Sequence, residues 1–265
     1  MTPVTRMLAT LAALAAVPAA ALTGADTGRA DRESAPRPGL TLPAPAVLAP
    51  SSQSLAVGAA FRGNYPSLGV SFGQGMNGGL ELAGAGEFRH ARVDWPGSGG
   101  RYDADEFQAA LRWGTAVSGP VRGGVMLGAG FTSGYARTRF DDGRYALDRS
   151  RTRWAEVVAG TSVAAGLRAT VAERYLHDVE SRTDTHATVF GTESPALGGA
   201  SILGEIGVFI KNPLRWKVPW AAGMRLPAGE QGFYIFVSNT LGLPVPDALA
   251  GTGNVNWHCR LSLSM

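Results

Sequence analysis

The chain has 265 residues, among them 36 Gly and 16 Pro, with 45% hydrophobic and only 17% charged residues. An ordinary soluble domain carries about a quarter charged residues, and a disordered chain would carry far more net charge than the +3 found here. Glycine at this density disfavours helix. The small basic excess, almost all Arg with Lys only at Lys211 and Lys217, is too slight for a nucleic-acid-binding face, so no nucleic-acid partner is expected. Cys259 stands alone, which removes an intrachain disulfide and the ligand sets of zinc or iron–sulfur sites; no metal or cofactor is expected.

Residues 1–25 read as a signal peptide. Met1 to Arg6 carries one positive charge, and Met7 to Leu22 is an Ala/Leu run interrupted by Thr10 and Pro18. Small residues at Ala19 and Ala21, or at Thr23 and Ala25, suit signal peptidase. The run is too short for a permanent anchor, and its place at residue one favours export over a buried Ala-rich helix. Residues 26–53 read as a Pro-rich periplasmic linker, because Pro36, Pro38, Pro43, Pro45 and Pro50 exclude regular structure and favour extended polyproline II. No charge falls between Arg37 and Arg62. The stretch from Leu40 to Leu48 therefore has two readings: a passive spacer, which is favoured, or the occupant of a lumen.

From Ser54 the hydrophobic period is two. Leu55, Val57, Ala59 and Phe61 alternate with small residues, Asn64 to Ser67 turns the chain, and Leu68, Val70 and Phe72 follow. Asn77-Gly78-Gly79 is a tight hairpin turn leading to Leu80 and Leu82. A polar stretch precedes the row Phe107, Ala109, Leu111, Trp113, Thr115 and Val117, and Ser118-Gly119-Pro120 turns into Val121 to Phe131. Ala155 to Val163, Leu167 to Val171, Thr183 to Phe190, Ile202 to Ile210, Val218 to Met224, Phe233 to Val237 and Trp257 to Met265 complete the series. Such repeated alternation is strand periodicity. It predicts about twelve strands, or ten if the Thr183 segment and its neighbour merge.

Short turns (Asn77–Gly79, Ser118–Pro120, Ala164–Gly166) alternate with longer polar loops (Asp94–Asp105, Arg137–Arg153, Asp178–Asp184). Transmembrane barrels have this asymmetry, with short periplasmic turns and long outer loops. An export address, Gly-rich alternating strands and the terminal Trp257-to-Met265 run together make residues 54–265 resemble bacterial outer-membrane β-barrel proteins. The resemblance implies a closed antiparallel transmembrane barrel in the outer membrane, surrounded by membrane lipid. It also implies that the final strand, here ending in Met265, is read by the barrel insertion machinery.

A membrane barrel must pair every backbone group and turn its uncharged face to lipid. The rows Leu68/Val70/Phe72, Leu111/Trp113 and Leu261/Leu263 are then outward, and Trp95, Tyr135, Trp154, Tyr175, Trp216 and Trp257 are candidates for interfacial girdles. The opposite face supplies the candidate lumen-lining residues Arg62, Glu81, Glu87, Glu106, Arg112, Glu156, Arg168, Glu205, Arg225 and Arg260. Five acids and five bases on a low-dielectric wall must be paired or wet. That pattern fits cross-strand pairs that hold the barrel's shape or a narrow hydrated pore.

Motifs for chemistry are sparse, and an enzyme is not the favoured reading. Gly69-Val-Ser71-Phe-Gly73 matches the nucleophile pattern G-x-S-x-G, but in an alternating strand rather than the required strand-to-helix elbow. Glu173 and His177, four apart, would share a strand face yet stand far apart. Asp141-Asp142-Gly143 lacks the rest of a calcium loop. His186 and Thr188, two apart on one face, are the nearest approach to a nucleophile pair. The outer connection carries Arg137, Arg139, Arg144, Arg149, Arg151 and Arg153 among Asp141, Asp142 and Asp148; solvation is favoured there over clamping the phosphates of lipopolysaccharide. The sequence thus points first to a small pore or structural envelope protein. A surface lipid-modifying barrel and a soluble exported barrel for an apolar ligand are the alternatives.

Overall fold

The computed structural model describes residues 40–42, 48, 50–62, 65–95, 98–118, 121–134, 136–139, 145–148, 151–164, 166–179, 182–213, 216–228, 231–240, 248–249 and 251–264. The expected signal peptide, the linker as far as residue 39 and Asp141-Asp142-Gly143 lie outside them. Among the described residues the strands are β1 (Gln53–Arg62), β2 (Tyr65–Met76), β3 (Leu80–Trp95), β4 (Ser98–Ser118), β5 (Val121–Gly134), β6 (Ala136–Arg139) and β7 (Tyr145–Asp148). They continue with β8 (Arg151–Ala164), β9 (Leu167–Asp178), β10 (Thr183–Pro195), β11 (Ser201–Lys211), β12 (Trp220–Ala228), β13 (Gln231–Thr240) and β14 (Gly251–Ser264).

Twelve of these close into one antiparallel barrel; β6 and β7 form a separate two-stranded sheet in the connection between β5 and β8. The seam joins β1 to β14, from Ser54 opposite Ser264 to Phe61 opposite Trp257. Each expected alternating segment is one strand of the barrel, the Thr183 segment included. Because β1 starts where β14 ends, both termini of the barrel lie at one rim. The tight turn at Gly78 and Gly79, both with positive φ, is at that rim as well. Gly79 disfavours a side chain on two counts: its φ is positive, and a Cβ there would come within 2.7 Å of the carbonyl oxygen of Gly114 on the neighbouring strand β4, whose N–H donates to the Gly79 carbonyl (2.9 Å).

The two faces differ as a period of two requires. Outside, Leu68, Phe72, Leu82, Leu111, Leu127 (59% exposed), Ile202, Ile206, Val208 and Trp257 (61%) form an uncharged surface. Soluble monomers rarely leave so large an apolar surface in water. Inside, Glu81, Glu87, Arg112, Glu156, Arg174, Glu205, Arg225 and His258 are buried.

Three local expectations change. Asp94–Asp105 is not a loop: β3 and β4 run through it and pair until Trp95 meets Ser98. A spanning strand needs about 9–11 residues, so much of the 21-residue β4 extends beyond the bilayer as a hairpin, where alternation has no apolar face to reveal it. Trp154 is turned inward and buried, its ring lying over Gly128, and Trp216 packs with Phe209 against the inner cluster. Neither belongs to an outer girdle. Finally, Leu40 and Leu42 of the Pro-rich segment are fully buried within the barrel, whereas a passive spacer was expected there.

Candidate functional site: the lumen and its strap

The inner wall is built on cross-strand pairs. Glu81 of β3 stands opposite Arg112 of β4, whose Nη1 donates to both carboxylate oxygens at 3.1 Å. Glu156 of β8 stands opposite Arg174 of β9; Arg174 Nε donates to Glu156 Oε1 at 2.9 Å, and both side chains are 0% exposed. Near the terminal rim Arg168 faces Glu193 at 3.6 Å. Glu87 accepts from the Ser67 hydroxyl at 2.8 Å. Arg260 lies over the Tyr234 ring, 4.4 Å from its centroid. His258 stacks on Phe236 with ring centroids 4.5 Å apart and shares a 2.8 Å hydrogen bond with Ser238.

Glu205 has a different kind of partner. Its carboxylate accepts the backbone N–H of Leu40 (2.5 Å), of Thr41 (2.7 Å) and of Leu42 (3.3 Å), together with the Thr41 hydroxyl. The carbonyls of the same segment are held from other strands: Arg174 Nη2 donates to Thr41 O at 2.7 Å and Arg260 Nη1 to Leu40 O at 3.2 Å. Lower down, Leu48 N–H donates to Glu81 Oε2 at 2.9 Å. The leucine side chains fill two pockets. Leu40 sits with Leu203, Ala221, Tyr234 and Phe236; Leu42 sits with Met126, Trp154, Val158, Ala187, Val189 and Leu249. Glycine makes room for the second, since a Cβ at Gly191 would stand 2.7 Å from Leu42 Cδ1. Leu249, on the connection between β13 and β14, joins the same cluster from the opposite rim.

A second polar group lies on the outer face. Thr188 of β10 faces Glu173 of β9 on one side and Val208 of β11 on the other, and Val208 is exposed on the apolar wall. Glu173 bridges two donors: Thr188 Oγ1 at 2.7 Å and His186 Nε2 at 2.7 Å. One step toward the far rim, Asp184 binds His177 at 2.8 Å and Lys211 at 3.1 Å.

Of the residues chosen from sequence, Glu81, Glu87, Arg112, Glu156, Glu205 and Arg225 are buried on the inner face, and Arg168 and Arg260 are partly buried there. The side chains of Arg62 and Glu106 lie outside the described residues. Glu173 and His177 are not brought together; each has its own partner on β10. Ser71 sits within β2, opposite Ala56 and Ala85, with no elbow. Arg174, Tyr234 and Ser238 were missed. For Arg174 the signal was present, because it shares strand parity with Arg168; for Tyr234 it was hidden in a run apolar on both faces. Among the described residues no three His, Cys, Asp or Glu side chains gather closely enough to hold a metal ion.

No family model matches the sequence, and no curated protein resembles it. Solved structures do resemble it in shape. The KdgM porin, alone and in complex with disordered oligogalacturonate, aligns with a TM-score of 0.54 at 8% identity, over 80% of this chain and 99% of its own. LpxR from Salmonella typhimurium gives a TM-score of 0.45 at 9% identity over 79% of this chain and 99% of its own. At this identity the likeness is one of fold, and the fold is that of the closed bacterial outer-membrane β-barrels.

Proposed function

We propose that this chain is an outer-membrane barrel that passes small hydrophilic solutes through a lumen lined by Arg62, Glu81, Glu87, Glu106, Arg112, Glu156, Arg168, Glu205, Arg225 and Arg260. On this reading the chain's own residues 40–42, bonded to Glu205, Arg174 and Arg260, obstruct that path. The observation that carries this reading is the charged inner wall itself. For a barrel that served only as an envelope strut, an apolar core would do as well as desolvated ion pairs or better. The strap occupies the space between those charges through hydrogen bonds that water can replace. Lipid contacts follow from the apolar outer wall. Export through a cleaved signal peptide, and recognition of the last strand by the insertion machinery, belong to the same reading.

Single-channel recording in planar bilayers tests it. Wild-type protein should open rarely. A Leu40→Asp/Leu42→Asp chain, whose strap would have to bury two carboxylates beside Glu205, should conduct most of the time. Arg112→Ala in that background should shift the ion selectivity toward cations. Silence from all three, with the barrels shown to be folded by their heat-dependent gel mobility, removes the pore.

A second reading, a lipid hydrolase acting at the outer face, is favoured by one observation: Glu173 holds both the Thr188 hydroxyl and His186 on the lipid side. It requires that His186→Ala abolish phospholipid hydrolysis by the detergent-solubilised protein. Turnover unchanged by that substitution, or absent from wild type, removes it.

A further inference from the structure

The strap is held as a ligand is held. Three successive backbone N–H groups converge on one carboxylate, the arrangement of an anion-cradling nest, with the protein wall supplying the anion. Two arginines from separate strands take the carbonyls. The Thr41 hydroxyl adds a third kind of contact to the same carboxylate. On either side of Thr41 a leucine fills a pocket, one floored by Tyr234 and Phe236 and the other opened by Gly191. Almost all of this recognises main chain and two apolar side chains, so nothing in it requires the occupant to be covalently joined to β1.

We infer that the Glu205–Arg174–Arg260 wall is a peptide-binding site, specific for a short segment of the Leu-Thr-Leu kind, and that the chain's own residues 40–42 are its tethered occupant. The matching ligand is an exported peptide with apolar side chains at its first and third positions and a small hydroxyl between them. A charged residue at either outer position is excluded by the pockets. The inner wall contributes two further unpartnered polar atoms beside this site, Glu156 Oε2 and Arg174 Nη1, each buried and without a hydrogen bond among the described residues.

A tethered occupant competes at an effective concentration in the millimolar range. The intact chain should therefore show no binding of a free peptide at micromolar concentration. Once the tether's leucines are replaced, the same site becomes available. The test uses the full-length chain in detergent and a fluorescein-labelled, end-blocked hexapeptide with the sequence of residues 39–44. Fluorescence anisotropy should rise with Leu40→Asp/Leu42→Asp protein at micromolar concentration, and Glu205→Gln in that background should weaken binding by at least tenfold. The same peptide carrying Asp in place of its second leucine should not bind.

No rise with folded Leu40→Asp/Leu42→Asp barrels overturns the inference, and so does binding that Glu205→Gln leaves unchanged. Should the double variant not fold, wild-type protein carries the test. Millimolar hexapeptide should then release the strap and make it cleavable by added protease, and an unaltered cleavage rate overturns the inference. The inference rests on the lumen reading but not on conduction: anisotropy reports binding whether or not the barrel passes ions.

Discussion

The Glu156–Arg174 pair offers the most direct test of how the inner wall is held. The two side chains stand opposite each other on β8 and β9, 2.9 Å apart and fully withdrawn from solvent. Removing one partner of such a pair strands the other, at a cost of about 3–5 kcal/mol. Glu156→Gln keeps an acceptor and removes only the charge, so the lower end, about 3 kcal/mol, is expected. At about 1.4 kcal/mol per decade that is about a hundredfold in the folding equilibrium. Replacing both partners, as Glu156→Leu with Arg174→Met, removes the stranded charge and restores apolar contact, which is neutral or favourable for buried pairs. Arg174 also donates to Thr41 O, and a hydrogen bond from a charged group is worth about 1.5–3 kcal/mol. The double change should therefore land within about 1–2 kcal/mol of wild type. Urea titration of protein folded into lipid vesicles, followed by tryptophan emission and by the mobility of unboiled samples, measures all three. A single substitution costing under about 1 kcal/mol, or a double one as costly as the single, would refute the account.

Other substitutions probe the same wall and its rim. Gly128→Ala drives a Cβ to within about 2.1 Å of the Trp154 ring; the ring must swing, costing about 1–3 kcal/mol and shifting the tryptophan emission of the folded barrel. Gly79→Ala places a side chain at positive φ against the Gly114 carbonyl. A loss of more than about 1 kcal/mol is expected from the strained conformation alone, read as a lower temperature for the gel-mobility shift. Gly191→Leu fills the space of the Leu42 side chain and should raise open probability in bilayers while leaving the gel shift intact. On the outer face, Glu173→Leu together with His186→Leu and Thr188→Val replaces a polar group by apolar side chains facing lipid. Stability in vesicles should stay equal or rise, and a marked loss would show that the group is needed for the fold.

What the residues determine locally was legible in the chain. A period of two, Gly-rich and short of charge, requires strands with one wall for hydrocarbon and one for a polar interior; it left their number at about twelve or ten, and the closed barrel has twelve. Short-range chemistry also placed the turn at Gly78-Gly79, since positive φ is a property of the residue itself. Tertiary structure decided which side chains meet. Glu81 finds Arg112 and Glu156 finds Arg174 through strand register, which no single segment encodes, and a one-residue slip would send each to the opposite face. The inward turn of Trp154 depends on Gly128 of a neighbouring strand leaving room for the ring. The strap's place is the extreme case: Leu40 and Glu205 are 165 residues apart. Only closure of the barrel brings together the carboxylate, the two arginines and the leucine pockets that hold a proline-rich segment lacking any periodicity of its own.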